Sequence, residues 1–349
     1  MPKRVLITGH DGYIGSVMTP WLVQQGYQVV GLDTGYYRDC ALVPHEVAVP
    51  ALRKDIRDVT VDDVVGFDAV IHLAALSNDP IGNLNDDWTA AINARASVRL
   101  AEVAREAGVG RFLFSSSCIM YGLASDAVAT ESSELDPQTE YARSKVQSEQ
   151  GIRDLASDAF SPVFLRNGTV YGLSPRMRFD TVLNDMVAQA TTSGKVVVYS
   201  DGKPWRPVVH VQDVARAFQA VLEAPTDRIH NQAFNTGADS LNHQVGELAE
   251  IAVAAVPGAT LEVRAMKNAD QRTYRASFEK FSSTFPDFEF RWNARSGAQE
   301  LYESFRSIGL THDDYVDRRF TRLEWIRHLL HSGQLDQELR WADSAREAA

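Results

Sequence analysis

RVLITGHDGYIGS, residues 4–16, is the stretch from which the rest of the chain can be assembled. Val5, Leu6 and Ile7 form a contiguous aliphatic run, the pattern of a strand buried on both faces. The run stops at Thr8-Gly9, and glycines recur at Gly9, Gly12 and Gly15 around Tyr13 and Ile14. Val17 to Gln25 then has helical spacing, with Val17, Trp21 and Leu22 on one side. A strand, a tight glycine turn and a helix N-terminus together make a pyrophosphate site. Free backbone N–H groups and the helix dipole point at the anion, and glycine allows close backbone approach. Three spaced glycines alone are a weak signal, but here the strand before and the helix after supply the context the motif requires.

The 349 residues suggest one large or two moderate domains. A content of 44 % hydrophobic and 23 % charged residues is that of a soluble globular protein. The formal net charge of −11 gives no support to nucleic-acid or membrane partners. With a strand starting at Arg4 no signal peptide is expected, and no apolar run is long enough to cross a bilayer. Cys40 and Cys118 are the two cysteines, far apart in sequence. That spacing argues against a disulfide framework or a cysteine-based zinc site, no metal is expected, and a cytoplasmic location fits.

Following the first helix, Tyr27 to Asp33 reads as a second strand ending in an acid. Asp33 is placed to accept hydrogen bonds from the adenosine ribose of NAD and to repel the extra phosphate of NADP. Arg38 nearby weakens that preference slightly. Leu52 to Asp58 reads as a third strand edge, where Asp55 and Ile56 suit an adenine amino group and ring face. Ala69 to Ala75 reads as a fourth buried strand, with Leu73, Ala74 and Ala75 where a cofactor needs close approach and His72 as a hydrogen-bonded core residue. Asp86 to Ala107 has helical spacing and ends at Gly108, a favourable residue just past a helix. Asn93 lies inside it, disfavoured by propensity and suited to tying neighbouring strand ends together.

Arg111 to Phe114 reads as the fifth strand and runs into Ser115-Ser116-Ser117-Cys118-Ile119-Met120-Tyr121-Gly122. Tyr141 and Lys145 open the next helical stretch, which continues through Leu155, and their spacing of four puts them on one face. A tyrosine with its pKa near ~10 is a poor base at neutral pH. A neighbouring ammonium and an oxidised nicotinamide both favour the phenolate. Tyr141 can then take the proton of a sugar hydroxyl, with Ser117 holding the same oxygen.

With these residues in hand, the sequence resembles the NAD-dependent nucleotide-sugar epimerase/dehydratase family, the extended short-chain dehydrogenase/reductases. The matching stretches are TGHDGYIGS at 8–16, Asp33, Asp55-Ile56, HLAA at 72–75, Asn93, SSSCIMYG at 115–122 and YARSK at 141–145. LRNGTVYG at 165–172, PWRPVVHVQDVA at 204–215 and FNTG at 234–237 follow in the same order. The resemblance implies a doubly wound α/β fold: a Rossmann parallel sheet with a second, smaller α/β substrate-binding domain. The NAD-binding domain would take 1–172 plus about 211–236, and the nucleotide-sugar domain about 173–210 plus 237–349. It implies NAD in contact with Gly9, Gly12, Tyr13, Ile14, Gly15, Asp33, Asp55, Ile56, Leu73, Ala74, Ala75, Asn93, Tyr141 and Lys145. It also implies a homodimer through helices near 93–107 and 141–155.

For the sugar side, Phe179 to Gln189 is amphipathic, and Asn184 is a candidate for a substrate phosphate or base. Lys195 to Tyr199 reads as a strand before the Asp201-Gly202 turn. By resemblance Tyr199 lies near the nucleotide base while Arg206 and Arg272 face the diphosphate, a task suited to arginine's planar fork. Arg176 and Arg178 add positive charge near the same cleft. The stretch from Thr311 to Trp341 suggests one or two amphipathic helices that cover the substrate lobe.

The family's enzymes begin by oxidising the sugar, often at C4, and differ in the next step. A 4,6-dehydratase places Asp-Glu after the strand-end residue, where this chain has Cys118 and Ile119, and the decarboxylases keep a Glu at the second position. The residues therefore point to an NAD-dependent nucleotide-sugar epimerase acting at C4, with Tyr141, Lys145 and Ser117 as catalytic residues. Cys118 leaves a second route open, as an acid or base at C3 or C5 of a keto-sugar or in a non-standard dehydratase. Asn167-Gly168-Thr169 stands where 4-epimerases have an aromatic pair then Asn, so Asn167 and Thr169 are further substrate candidates. A different class, a non-catalytic NAD-binding scaffold or redox sensor, is disfavoured by the intact tyrosine, lysine and serine.

Overall fold

The computed structural model describes residues 3–43, 49–77, 85–123, 128–264, 266 and 272–342. Its strands, in chain order, are β1 (Arg4–Thr8), β2 (Gln28–Asp33), β3 (Ala51–Arg53), β4 (Ala69–His72), β5 (Arg111–Ser117), β6 (Val128–Ala129) and β7 (Ser161–Asn167). There follow β8 (Thr169–Tyr171), β9 (Lys195–Val198), β10 (Trp205–His210), β11 (Gln232–Thr236), β12 (Asn242–Gln244), β13 (Thr260–Val263) and β14 (Arg275–Ala276). Seven of them form one sheet in the order β11-β7-β5-β4-β1-β2-β3, with every pairing parallel.

Side chains of this sheet alternate between two buried layers, as the period of two requires. Leu6, Leu32, Val70, Phe112 and Phe164 pack with Leu100 and Val103 of the helix Ala96–Glu106. Val5, Ile7, Ile71, Leu113 and Val163 face the other way, onto Met18 and Leu22 of the helix Gly15–Gln24 and Phe218 and Val221 of Val211–Glu223. Both faces are thus covered, which is why the strands read as unbroken apolar runs. The order reverses beside β1, and the crevice at the carboxyl ends of β1 and β4 is where such a sheet takes a ligand.

The second lobe packs the helices Val182–Ser193, Val245–Ala255 and Ala294–Ile308 around the β9–β13 pair, while β8, β10 and β12 form a small sheet beside them. The helix Val211–Glu223 lies on the face of the seven-stranded sheet and β11 on its edge. No helix among the described residues is long and apolar enough to cross a membrane.

Some elements differ from the sequence reading for identifiable reasons. The first helix begins at Gly15, two residues early, because the glycine turn itself feeds the helix. The third strand ends at Arg53, where Asp55 caps a 3-10 turn, Ile56–Asp58, by accepting from the Arg57 N–H at 2.8 Å. The helix from Asp86 is interrupted by a π-helical segment, Ala90–Arg95, that contains Asn93. The Phe179 stretch becomes helical only at Val182.

The largest difference is the C-terminal segment. Only its start covers the substrate lobe, through Phe320. In the helix Arg322–His331 and beyond, Trp325, Ile326, Leu329, Leu335 and Leu339 join the core of the first lobe instead. The indole N–H groups of Trp325 and Trp341 donate to the carbonyls of Tyr36 and Thr34 at 2.6 and 2.7 Å. Arg57 donates to the Glu338 carbonyl at 2.7 Å, and Arg340 pairs with Asp58. The expected substrate domain also included residues 265, 267–271 and 343–349, which lie outside the described residues.

Candidate functional site

The glycine turn closes by backbone contact. Gly9 has φ +75°, and a Cβ on it would sit 2.7 Å from the Ala74 nitrogen. A Cβ on Gly15 would overlap the Gly9 carbonyl oxygen. No other residue fits at either position without moving the turn away from β4. Tyr13 fastens the turn to the second lobe, its hydroxyl accepting from the Asn184 amide at 3.0 Å while donating to the Gly172 carbonyl at 2.7 Å.

A cleft of about 570 Å³ opens above this turn, between the two lobes. Its wall brings together Gly9, Gly12, Tyr13, Ile14, Gly15, Asp33, Asp55, Ile56, Leu73, Ala74 and Ala75 from the expected cofactor set. Ser117, Tyr141, Asn167, Thr169, Arg178, Arg206 and Arg272 line the same cleft. Residues separated by more than 250 positions therefore meet in one place.

The cofactor end carries its own signature. Asp33 accepts from the Gly35 N–H at 2.8 Å and the Asp11 N–H at 3.3 Å, so its carboxylate is fixed at the cleft wall. Burial raises its pKa, and the Gly35 hydrogen bond opposes that rise. Ribose hydroxyls are donors that suit such a group, whereas a 2′-phosphate would meet like charge. Asp55 is engaged differently from the expectation, because Arg57 holds its carboxylate at 2.6 and 3.0 Å.

At the opposite end, Tyr141 stands on the first turn of the helix Glu140–Arg153, which Thr139 caps through the Ala142 N–H. Lys145 lies one turn on, with Nζ 5.7 Å from the Tyr141 ring centroid and 4.6 Å from that of Phe114. It is buried and donates to the Ser115 carbonyl at 2.7 Å. Burial pushes its ammonium down to about 8, while Glu149 opposes the fall. Lys145 thus sits next to Tyr141, behind the cleft wall. The Ser117 oxygen accepts from the Ile119 N–H at 3.3 Å, leaving its proton to donate to a ligand oxygen. Beside it, the Asn167 amide donates to Ser115 Oγ at 3.1 Å, whereas its Oδ1 is buried without a partner. A donor on a bound ligand would satisfy that acceptor.

Other expected site residues are placed elsewhere. Asn93 forms a two-way bond with the Leu76 backbone, at 2.8 and 3.0 Å, and reaches Ser144 Oγ at 3.4 Å. It fixes the loop after β4 against the helix Glu140–Arg153, as its position inside a helix suggested, and does not line the cleft. Asn184 is wholly buried, accepting from the Gly172 N–H and donating to the Tyr13 hydroxyl and the Arg178 carbonyl. Its amide holds the lobes together rather than facing a substrate. Arg176 forms a bidentate pair with Asp11 of the glycine turn at 2.7 and 2.8 Å. Tyr199 is exposed, outside the cleft wall.

Cys118 corrects the acid–base alternative. β5 ends at Ser117, which lines the cleft, and Cys118 opens the 3-10 turn Cys118–Tyr121 with its side chain off the cleft wall, fully buried and donating to the Arg166 carbonyl at 3.1 Å. Burial pushes its thiol far above the usual range, so it stays protonated. Ile119, by contrast, lines the cleft with an apolar side chain. His72 is the core histidine expected, bonded to Thr8 and Ser97 at 2.6 and 2.8 Å, and burial pushes it down to about 3.

The sequence reading missed the contribution of the C-terminal segment. Thr321, Arg322 and Leu323 line the cleft next to Tyr36 and Tyr37. Spacing within the segment gives no hint of this, because it arises only from docking against a loop almost 300 residues away.

Residues 5–237 match the family described as "NAD dependent epimerase/dehydratase family". The UDP-glucose 4-epimerase of Corynebacterium glutamicum is 26% identical over 298 residues, which cover 79% of this chain and 88% of that protein. Among solved structures, TunA, an NAD dependent NDP-hexosamine 5,6-dehydratase, aligns with TM-score 0.78 at 25% identity over 87% of this chain and 98% of its own. MoeE5 in complex with UDP-glucuronic acid and NAD gives TM-score 0.75 at 28% identity, over 87% and 99%. The glycine cradle and the half-buried Asp33 fit NAD as the cofactor. On the sequence match and the geometry together, this chain belongs to the NAD dependent epimerase/dehydratase family.

Proposed function

We propose that the protein epimerises a nucleotide-diphosphate sugar at C4 through a transient keto-sugar. The observation that carries this reading is the set of acids in the cleft. Among the described residues these are Asp33, Asp55 and Asp180. Asp33 belongs to the ribose end, Asp55 is held by Arg57, and Asp180 pairs with Arg178 at 2.8 Å. Among the described residues none stands beside Ser117, where Ile119 occupies the wall, so none of these acids is placed to eliminate water there. The C3/C5 and dehydratase readings lose their thiol as well, since Cys118 faces away from the cleft.

NAD supplies a reversible two-electron acceptor. Tyr141 takes the proton from the C4 hydroxyl oxygen and returns it after the sugar has turned over. The Lys145 ammonium favours the phenolate electrostatically from 5.7 Å away. Ser117 donates to the reacting oxygen and orients it. Arg206 and Arg272 hold the diphosphate, so that the keto-sugar rotates about that tether without leaving. Intact catalytic groups in one cleft with the glycine turn favour turnover over a scaffold role. We assign the protein as a homodimer through the adjacent helices Ala96–Glu106 and Glu140–Arg153; sedimentation measures this.

The test is NMR of the holoenzyme with UDP-, GDP-, CDP- and dTDP-hexoses in D2O. A product inverted at C4 without solvent deuterium is expected. Deuterium at C3 or C5, or loss of water, refutes the proposal. Tyr141→Phe is expected to lower turnover about 100-fold or more while NAD stays bound; unchanged turnover sinks the mechanism.

A further inference from the structure

The cleft wall contains an arginine pair that the redox chemistry does not use. Arg178 donates to Ser77 Oγ at 3.0 Å and to the Ser77 carbonyl at 3.3 Å, and pairs with Asp180. Arg322 comes from the C-terminal segment, beyond the residues that match the family. Its guanidinium lies 4.3 Å from the Tyr37 ring centroid and donates to the Arg176 carbonyl at 2.9 Å, while its backbone N–H donates to Asp180. Both arginines are more than nine-tenths buried, and both line the cleft. One carboxylate thus lies between two buried cations. Burial and the neighbouring Arg178 both lower the pKa of Arg322, the mark of a cation short of compensating charge. Thr181, in the same wall, has a buried hydroxyl with no hydrogen-bond partner. An incoming anion would supply the missing charge and accept from that hydroxyl.

The cluster is tied to the glycine turn at two points. Arg176 grips Asp11, and Asn184 joins the Arg178 carbonyl to the Tyr13 hydroxyl. On its other side is Tyr37, four residues past Asp33. It therefore borders the path between the glycine turn and the ribose end.

We propose that Arg322, with Arg178 and Thr181, forms a second anchor for the dinucleotide's pyrophosphate, opposite the glycine turn and supplied by the C-terminal segment. The nucleotide-sugar diphosphate is the other source of the same chemistry, and the two are separable by experiment. The assay takes full-length holoenzyme, wild type and Arg322→Met, and follows release of bound NAD into an excess of labelled NAD. UDP affinity is measured on the same samples by calorimetry. The expected result is release about tenfold faster in the variant, with UDP affinity within about twofold. NAD release unchanged overturns the proposal, and so does weakened UDP binding with NAD retained. If Arg322→Met does not fold, Arg322→Lys decides on the same readouts, since it keeps the charge and loses the fork; release at the wild-type rate then refutes the anchor. Neither readout depends on which sugar is turned over, so failure here is distinct from failure of the epimerase reading.

Discussion

Replacing Lys145 by Met tests whether the burial behind Tyr141 has the energetic weight assigned to it. In the folded chain the ammonium titrates at about 8 rather than at the ordinary 10.5, because burial outweighs the attraction of Glu149. Below pH 8 both folded and unfolded chains hold the proton, and the burial cost is present in full. Between pH 8 and 10.5 the unfolded chain keeps the proton while the folded chain releases it, so this group makes stability rise with pH. A shift of about 2.5 units at about 1.36 kcal/mol each amounts to about 3 kcal/mol, of which about 2.5 kcal/mol falls between pH 7 and pH 10. Lys145→Met removes the titration and leaves the other groups common to both proteins. Urea unfolding of wild type and variant, followed by tryptophan fluorescence at each pH, reads the difference. The wild type is expected to gain on the variant by that amount as pH rises. A difference that stays flat from pH 7 to pH 10 refutes the argument, because Lys145 would then keep its proton inside the fold.

The same proton release predicts that wild-type turnover falls above about pH 8, as the phenolate of Tyr141 loses its cation; a rate still rising at pH 9 counts against that coupling. Cys118→Ala is expected to keep turnover within about threefold, at a small stability cost for a buried thiol. A loss of several hundredfold would return the thiol to the chemistry. Arg166→Leu strands the buried Glu149 carboxylate, now bonded at 2.7 Å, and is expected to cost about 3–5 kcal/mol in unfolding measurements. Asp33→Asn is expected to narrow the preference of NAD over NADP in binding by calorimetry, and an unchanged ratio excludes Asp33 as the discriminating charge.

How much of this was legible in the sequence depended on whether a residue's role is local. The glycine turn, Asp33, and the Tyr141–Lys145 pair are set by a few consecutive residues, and the structure places all of them at one cleft or directly behind it. Tyr13 and Asn167 were readable as members of motifs. Asn184 and Tyr199 were not, because nearness along the chain does not say which way a side chain faces. Thr181 and Val182 turn toward the cleft while Asn184, two residues on, turns inward. Cys118 shows the same limit at a spacing of one. Arg322 was invisible for a different reason. Its position depends on docking between segments that share no pattern, with the indoles of Trp325 and Trp341 finding carbonyls in the loop after β2.

That docking bears on the order in which the molecule is assembled. The Tyr36 hydroxyl donates to the Leu339 carbonyl across 303 positions, and Trp341 reaches Thr34 across 307. On the ribosome the glycine turn and β2 emerge well before the C-terminal segment, and their parallel pairing waits only for residues close behind them. The contacts that cover the loop beside Asp33 form only once the helix Arg322–His331 and the residues after it have been made and folded back. Contacts of such separation are the slow ones, paid for in loop closure before they return any stability. The adenosine end of the cleft is consequently framed by residues made early and completed by residues made more than 300 positions later.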